Sequence, residues 1–107
     1  MSGEYKPLNG ENDMSETEIR VVFEPERRRA AAYDGEKAIG ECEFSVDGDV
    51  WEIDHTGVRP EYGGRGIAGQ LVRCVIDRAR AEGVGVRPVC SYAVRMMDRE
   101  EFADVRR

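Results

Sequence analysis

Arg59–Val72 reads RPEYGGRGIAGQLV; it holds four of the chain's twelve glycines and then becomes an apolar-periodic helix. Flexible residues directly before a helix serve one of two ends. They make a tight turn, or they leave the backbone N–H groups at the helix start bare for an anion. Those first N–H groups have no intrahelical partner, and the macrodipole adds about half a positive charge there. A glycine lets a phosphate approach them because no Cβ stands in the way. Gly63, Gly64 and Gly66 precede the first turn, Gly69 thins it, and Arg65 adds a cation beside the same spot. The spacing is not Gly-x-Gly-x-x-Gly, and no Gly-Lys-Ser/Thr follows. Taken alone, such a loop is more often a plain strand–helix turn than a ligand site.

Downstream, Ile67, Ala68, Leu71, Val72, Val75, Ile76 and Ala79 recur at three-to-four spacing. They predict an amphipathic helix, which Gly83 terminates. Val84–Cys90, VGVRPVC, predicts a short strand. Ser91 is placed to cap a last helix running to about Val105, with Tyr92, Met96, Phe102 and Val105 as its apolar contacts. Upstream of the glycines the period is two. Ile19–Phe23 is a β-rich run ending near Pro25. Asp34-Gly35 and Asp47-Gly48 are hairpin signals. KAIGECEFSV puts Cys42, Phe44 and Val46 on one strand face, and VWEIDHTGV puts Trp51, Ile53 and His55 on one face with Glu52, Asp54 and Thr56 on the other. The expected fold is α/β: an antiparallel meander, then a right-handed strand–helix–strand crossover around the glycine segment, then a C-terminal helix. Residues 1–15 are polar and lack a period, so they are expected to be a disordered arm ahead of one domain, 16–107. Met14 looks like a second start.

A chain of 107 residues suffices for one domain with one modest core. No apolar run approaches the roughly 18 residues of a membrane span, and no basic-then-apolar signal opens the chain, so a cytoplasmic protein is expected. Cys42, Cys74 and Cys90 are odd in number and widely spaced, which fits reduced thiols and neither a disulfide framework nor a zinc site. The net charge of −6 argues against sequence-independent nucleic-acid binding. The basic run Arg27-Arg28-Arg29 is flanked by Glu24 and Glu26 and reads as a solvated strand edge.

A strand ending in Val58, then Pro60-Glu61-Tyr62, then GGRGIAGQLV resembles motif A of the GNAT superfamily of N-acetyltransferases. Of the consensus Gln/Arg-x-x-Gly-x-Gly/Ala, Gly66 and Ala68 match the last two fixed positions, while Gly63 stands where Gln or Arg is usual. IDHTGV, GGRGIAGQLV and RPVCSYAV, in this order, are also similar to the minimal GNAT-like proteins of this length, over about Arg28 to Val105. The resemblance implies acetyl-CoA as ligand, its pyrophosphate on the loop amides and its pantetheine arm between two splayed parallel strands. Carried onto this chain, it implies Thr56, Gly57, Val58, Gly63, Gly64, Arg65, Gly66, Ile67, Ala68, Gly69, Pro88 and Ser91 as cofactor-binding residues. The expected fold is then a reduced GNAT fold without the helix pair that longer members insert after the first strand. That leaves an open acceptor site, suited to a protein or polyamine amine, on a monomer or weak dimer.

Three side chains are candidates for the chemistry. His55, the only histidine, has a side chain whose ordinary pKa suits a base near neutral pH; it equally suits packing beside Trp51 and Ile53. Cys90, before a helix start that would favour thiolate, can accept an acyl group or line the channel. Tyr92 can return a proton to the leaving CoA thiolate or sit as a core aromatic. The expected function is acetyl transfer to an amine. The alternatives are a CoA-binding or acyl-CoA-sensing module without turnover, and an interaction module whose glycine loop binds nothing.

Overall fold

Alternating side chains from Ile19 onward make strands, and the two Asp-Gly steps fold them back on one another. The computed structural model describes residues 4–5 and 18–107. The strands are β1 (Glu4–Tyr5), β2 (Ile19–Glu24), β3 (Arg29–Asp34), β4 (Lys37–Asp47), β5 (Val50–Val58) and β6 (Gly85–Pro88); the helices are α1 (Ile67–Glu82) and α2 (Ser91–Met96). All six strands lie in one sheet in chain order. Every pairing is antiparallel except β5–β6, which is parallel because α1 carries the chain back across the sheet. The backbone of Glu4 and Tyr5 pairs with Val22 and Val21. The rest of the expected arm, 1–3 and 6–15, lies outside the described residues.

Gly35 and Gly48 take φ of +65° and +62° at the two hairpin turns, which only glycine does without strain. Between β2 and β3 the chain makes a single 3-10 turn, Pro25–Arg27, with Arg28 left-handed behind it. The expected solvated edge holds only in part. Arg29 turns back as a largely covered side chain, 18% exposed, against Glu24 at 2.7 Å.

One face of the sheet is covered by α1, whose Leu71, Val72, Val75, Ile76 and Ala79 are fully buried. Phe23, Phe44 and Trp51 stack beneath it, the closest rings 4.4 Å apart, and Arg78 of α1 caps Phe23 at 4.3 Å. Gly83, at φ +75°, ends α1 in a Schellman motif: its N–H reaches the Arg80 carbonyl, and the Val84 N–H reaches that of Ala79. That cap consumes Val84, so β6 starts at Gly85, and it stops at Pro88 rather than at Cys90 as expected.

The last helix is also shorter than its apolar pattern predicts. α2 ends at Met96, and a 3-10 turn at Glu100–Phe102 follows. Met96, Met97, Phe102 and Val105 are all buried. On one continuous helix, Met97 and Phe102 would point about 140° apart at 100° per residue, so the break lets both reach the core. Tyr92 stays out of the core, half-exposed. The segment then runs beside β6, where the Val86 N–H donates to the Val105 carbonyl and the Arg107 N–H to the Val86 carbonyl. Phe102 is fully buried, with the Arg73 and Arg80 guanidinium groups over its ring at 5.1 and 5.8 Å. Phe102→Ala should therefore lower stability by about 3–5 kcal/mol, read as the midpoint of urea unfolding. A loss under about 1 kcal/mol would mean that the tail does not close the core.

Candidate functional site

The decisive local feature is one extra residue in β5. Glu43 pairs with His55 and Phe44 with Ile53, so Asp54 has no partner on β4 and forms a bulge. A bulge reverses the in–out alternation beyond it. Trp51 and Ile53 point to the α1 face and are buried, but His55, which was expected beside them, points to the other face with its side chain 55% exposed. Thr56, expected on the face away from Trp51, takes the α1 side instead.

The sheet opens at the same place. Parallel pairing of β5 with β6 runs from Val50–Gly85 to Ile53–Pro88 and stops. The Ile53 carbonyl accepts from both Val89 and Cys90 N–H at 3.0 Å, and the chain then turns away into α2. Pro88 sits at the last paired position, where a missing N–H costs least. Residues 54–58 thus have a free edge. The Arg59 N–H donates to the Ile39 carbonyl on β4, so by alternation the N–H groups of Val58 and Thr56 point to the opened edge.

On the α1 side this gap leads into a cleft of about 220 Å³, lined by Val58, Tyr62, Gly63, Gly64, Gly66, Ile67, Ala68 and Tyr92. Gly64 and Gly66 have φ of +75° and +76°, and a Cβ at either would meet nothing within 4 Å. Their glycines are therefore required by backbone conformation, and the space beside them is open. Gly66 is the N-cap of α1 and has no side chain to satisfy the first turn. The first helical bond is from Gln70 N–H to the Gly66 carbonyl, which leaves the amides of Ile67, Ala68 and Gly69 without an intrahelical acceptor. Arg65 lies over the Tyr62 ring at 5.7 Å, and the Tyr62 hydroxyl donates to Asp34 at the end of β3. The hydroxyl of Tyr92 stands over the first turn of α1; a Cβ at Gly69 would approach it to 3.3 Å.

Cys90, and not Ser91, caps α2: its Sγ accepts from the Ala93 N–H at 3.4 Å. Ser91 is the first helical residue and is exposed. Thr56 Oγ1 lies 3.5 Å from the Cys90 Sγ and donates to the Cys42 Sγ at 3.6 Å. Burial pushes the thiols of Cys42 and Cys74 up to about 12, whereas Cys90 is only half-buried. Across the sheet, His55 Nε2 meets Glu41 Oε2 at 2.9 Å. Gly57 does not form the bulge. A Cβ there would come within 3.1 Å of His55 Nε2 and 3.3 Å of Glu41 Oε2, so glycine makes room for that pair.

The structure thus gathers Val58, the loop glycines, Ile67, Ala68 and Tyr92 at one cleft, with Thr56 and Cys90 together at the splay. It sets His55 on the opposite face. Three participants were not legible beforehand. Glu41 depends on the β4–β5 register, Cys42 on its contact with Thr56, and Tyr62, although inside the quoted motif, on its contact with Asp34. Among the described residues, no group of three or more His, Cys, Asp or Glu is placed to hold a metal ion, and no helix is long and apolar enough to cross a membrane.

Residues 28–105 match the family described as GCN5-related N-acetyl-transferase. The solution structure of a GCN5-like protein from Staphylococcus aureus, described as a proposed N-acetyltransferase, is 32% identical, with a TM-score of 0.65 over 88% of this chain and 91% of that one. A GCN5-related N-acetyltransferase from Sphaerobacter thermophilus is 27% identical at a TM-score of 0.51, over 54% of this chain but only 19% of its own. The ribosomal-protein-S18-alanine N-acetyltransferase from Escherichia coli shares the fold at 19% identity, with a TM-score of 0.55 over 66% of this chain and 50% of its own. No curated protein matches the chain.

Proposed function

Because the chain belongs to the GCN5-related N-acetyltransferase family, we propose that it binds acetyl-CoA at the glycine loop and passes the acetyl group to an amine. One observation carries this reading: a cleft floored by bare helix amides runs into the edge of β5 where pairing with β6 has stopped. The residues fit such a ligand. The amides of Ile67, Ala68 and Gly69 suit a pyrophosphate, with Gly64 and Gly66 keeping its approach open. Val58, Tyr92 and Pro88 flank the place for the pantetheine arm. Acetyl-CoA supplies an acyl group already activated as a thioester.

This chain's own residues supply the rest. The Val58 N–H, turned to the opened edge, donates to the acyl oxygen as charge develops, a role worth about 3 kcal/mol. His55 takes a proton from the incoming amine. Tyr92, at the cleft, returns one to the leaving sulfur. In a covalent variant Cys90 receives the acyl group first; the half-buried thiol beside Thr56 favours considering it. From Ile19 to Val58 the chain holds only strands and turns, so among the described residues no helix walls the acceptor side, and a protein or polyamine amine fits better than an enclosed metabolite. Three free thiols fit a reducing compartment such as the cytoplasm.

CoA at about a hundred times its Kd should stabilise the protein by about 2.7 kcal/mol, a rise in melting temperature of roughly 10 °C or more. Acetyl-CoA should release free CoA faster when amines, polyamines or lysine peptides are added. An unshifted melting temperature sinks the reading. A shift without release on any acceptor leaves a CoA-binding module in its place.

A further inference from the structure

We propose that Glu41 is a positioning residue. It holds the His55 imidazole in the tautomer protonated at Nε2, leaves Nδ1 as the base, and so directs cationic amines to the splay from the sheet face opposite α1. The proposal rests on the acetyl-transfer reading for its reaction, while the pair itself is a matter of geometry.

The contact is specific. Glu41 lies on β4 and His55 on β5, joined at 2.9 Å between Oε2 and Nε2. A carboxylate only accepts, so in the neutral imidazole the shared proton resides on Nε2 and Nδ1 is left with its lone pair. The Asp54 bulge presents the ring on this face, and Gly57 clears the space that the contact occupies. No substitution of Gly57 is excluded by a left-handed φ; its want of a side chain serves the pair.

The two faces of β5 are thereby given different tasks. Thr56 and Cys90 lie toward α1, on the side of the glycine cleft, and that side belongs to the acyl donor. The facing side carries Glu41 and, directly across from His55, Glu43, while Asp54 stands exposed beside it. All three are acidic, and the cation on the next strand, Arg29 opposite Glu43, is already held by Glu24 at 2.7 Å, so the acceptor they attract is an amine arriving as a cation. The ammonium first gives one proton to bulk water, and the amine nitrogen so freed attacks the acyl carbon. A C–N bond forms, its second proton passes to Nδ1, the C–S bond breaks with its electron pair on sulfur, and sulfur takes a proton from Tyr92 or water. Glu41 balances the imidazolium so formed, as the third group of a base–orienter pair does.

His55 is the only histidine, so its ring nitrogens are assigned without ambiguity in a ¹⁵N-labelled full chain. Long-range ¹H–¹⁵N spectra at alkaline pH should show the Nε2–H tautomer in the wild type. Glu41→Gln should keep it, since an amide oxygen still accepts, and should lose acetyl transfer to spermidine only a few-fold. Glu41→Leu and Gly57→Ala should both give mixed tautomers and lower kcat for that transfer about tenfold or more. The thermal shift caused by CoA should stay unchanged in both Glu41 variants. An Nδ1–H tautomer in the wild type, or an unaltered tautomer in Glu41→Leu, would overturn the proposal. A wild type that shows the Nε2–H tautomer and binds CoA without transferring acetyl to spermidine keeps the positioning role and removes spermidine as acceptor. Loss of the CoA shift in the wild type counts against the acetyl-CoA reading instead.

Discussion

Gly66→Glu should abolish the stabilisation by CoA, with Kd rising at least about a hundredfold by titration calorimetry. Two effects act together. Gly66 sits at φ +76°, where a side chain costs about 1–3 kcal/mol of strain. The new carboxylate would also stand at the bare amides of α1, where an arriving pyrophosphate meets a like charge. The fold should survive, because α1 is held by Leu71, Val72, Val75 and Ile76 in the core; the melting transition should stay cooperative, several degrees lower. Gly66→Ala adds the Cβ and the strain without the charge, and should show an intermediate loss. Unchanged CoA affinity in Gly66→Glu would mean that the loop is not the phosphate site.

Cys90 should be the thiol that iodoacetamide labels first, with Cys42 and Cys74 reacting at least about a hundred times more slowly. A thiol at about 12 is ionised to roughly one part in ten thousand at pH 8, and Cys42 and Cys74 are buried besides. Cys90 is half-buried at the opened end of β6. Bound CoA should slow its labelling by filling the gap next to Thr56. Cys90→Ala should keep CoA binding, since the loop amides are elsewhere. A loss of transfer by orders of magnitude in that variant, together with an acetylated Cys90 peptide from the wild type seen by mass spectrometry, identifies an acyl carrier; a few-fold loss identifies a wall of the channel. Preferential labelling of Cys42 or Cys74, with Cys90 unprotected by CoA, would sink both roles.

The elements most legible in the sequence were those set by a long period or by turn chemistry. α1 shows its three-to-four spacing over sixteen residues, from Ile67 to the Gly83 cap, and the two Asp-Gly hairpins sit where written. The glycine cleft was legible too, because positive φ and a bare helix start both select glycine. The misplacement of His55 has a different origin. Alternation tells which residues share a face only while the count is unbroken, and the bulge at Asp54 carries no side-chain signature of its own. Glu41 stayed hidden for the same reason, since it finds His55 only once the β4–β5 register is known. The last helix was overextended because its apolar positions, Met96, Met97, Phe102 and Val105, satisfy the core through a break that their spacing alone does not announce.

The bulge makes the chemistry of this strand depend on arithmetic more than on identity. The side chain at position 54 is exposed and has no partner on β4, so the facing of His55 does not depend on which amino acid stands there. Removing one residue at this point would leave hydrophobic content and strand propensity nearly untouched. It would also leave Phe44 opposite Ile53, Glu43 opposite His55 and Cys42 opposite Thr56 in an unbroken ladder, so the imidazole would stay outside and the threonine inside. A single-codon deletion there would therefore keep His55 on its face, while one residue inserted between Glu43 and Phe44 would give Asp54 a partner, restore alternation through it and turn the imidazole inward. In this small domain the number of residues on β4 against those on β5 decides which side of the sheet holds the base.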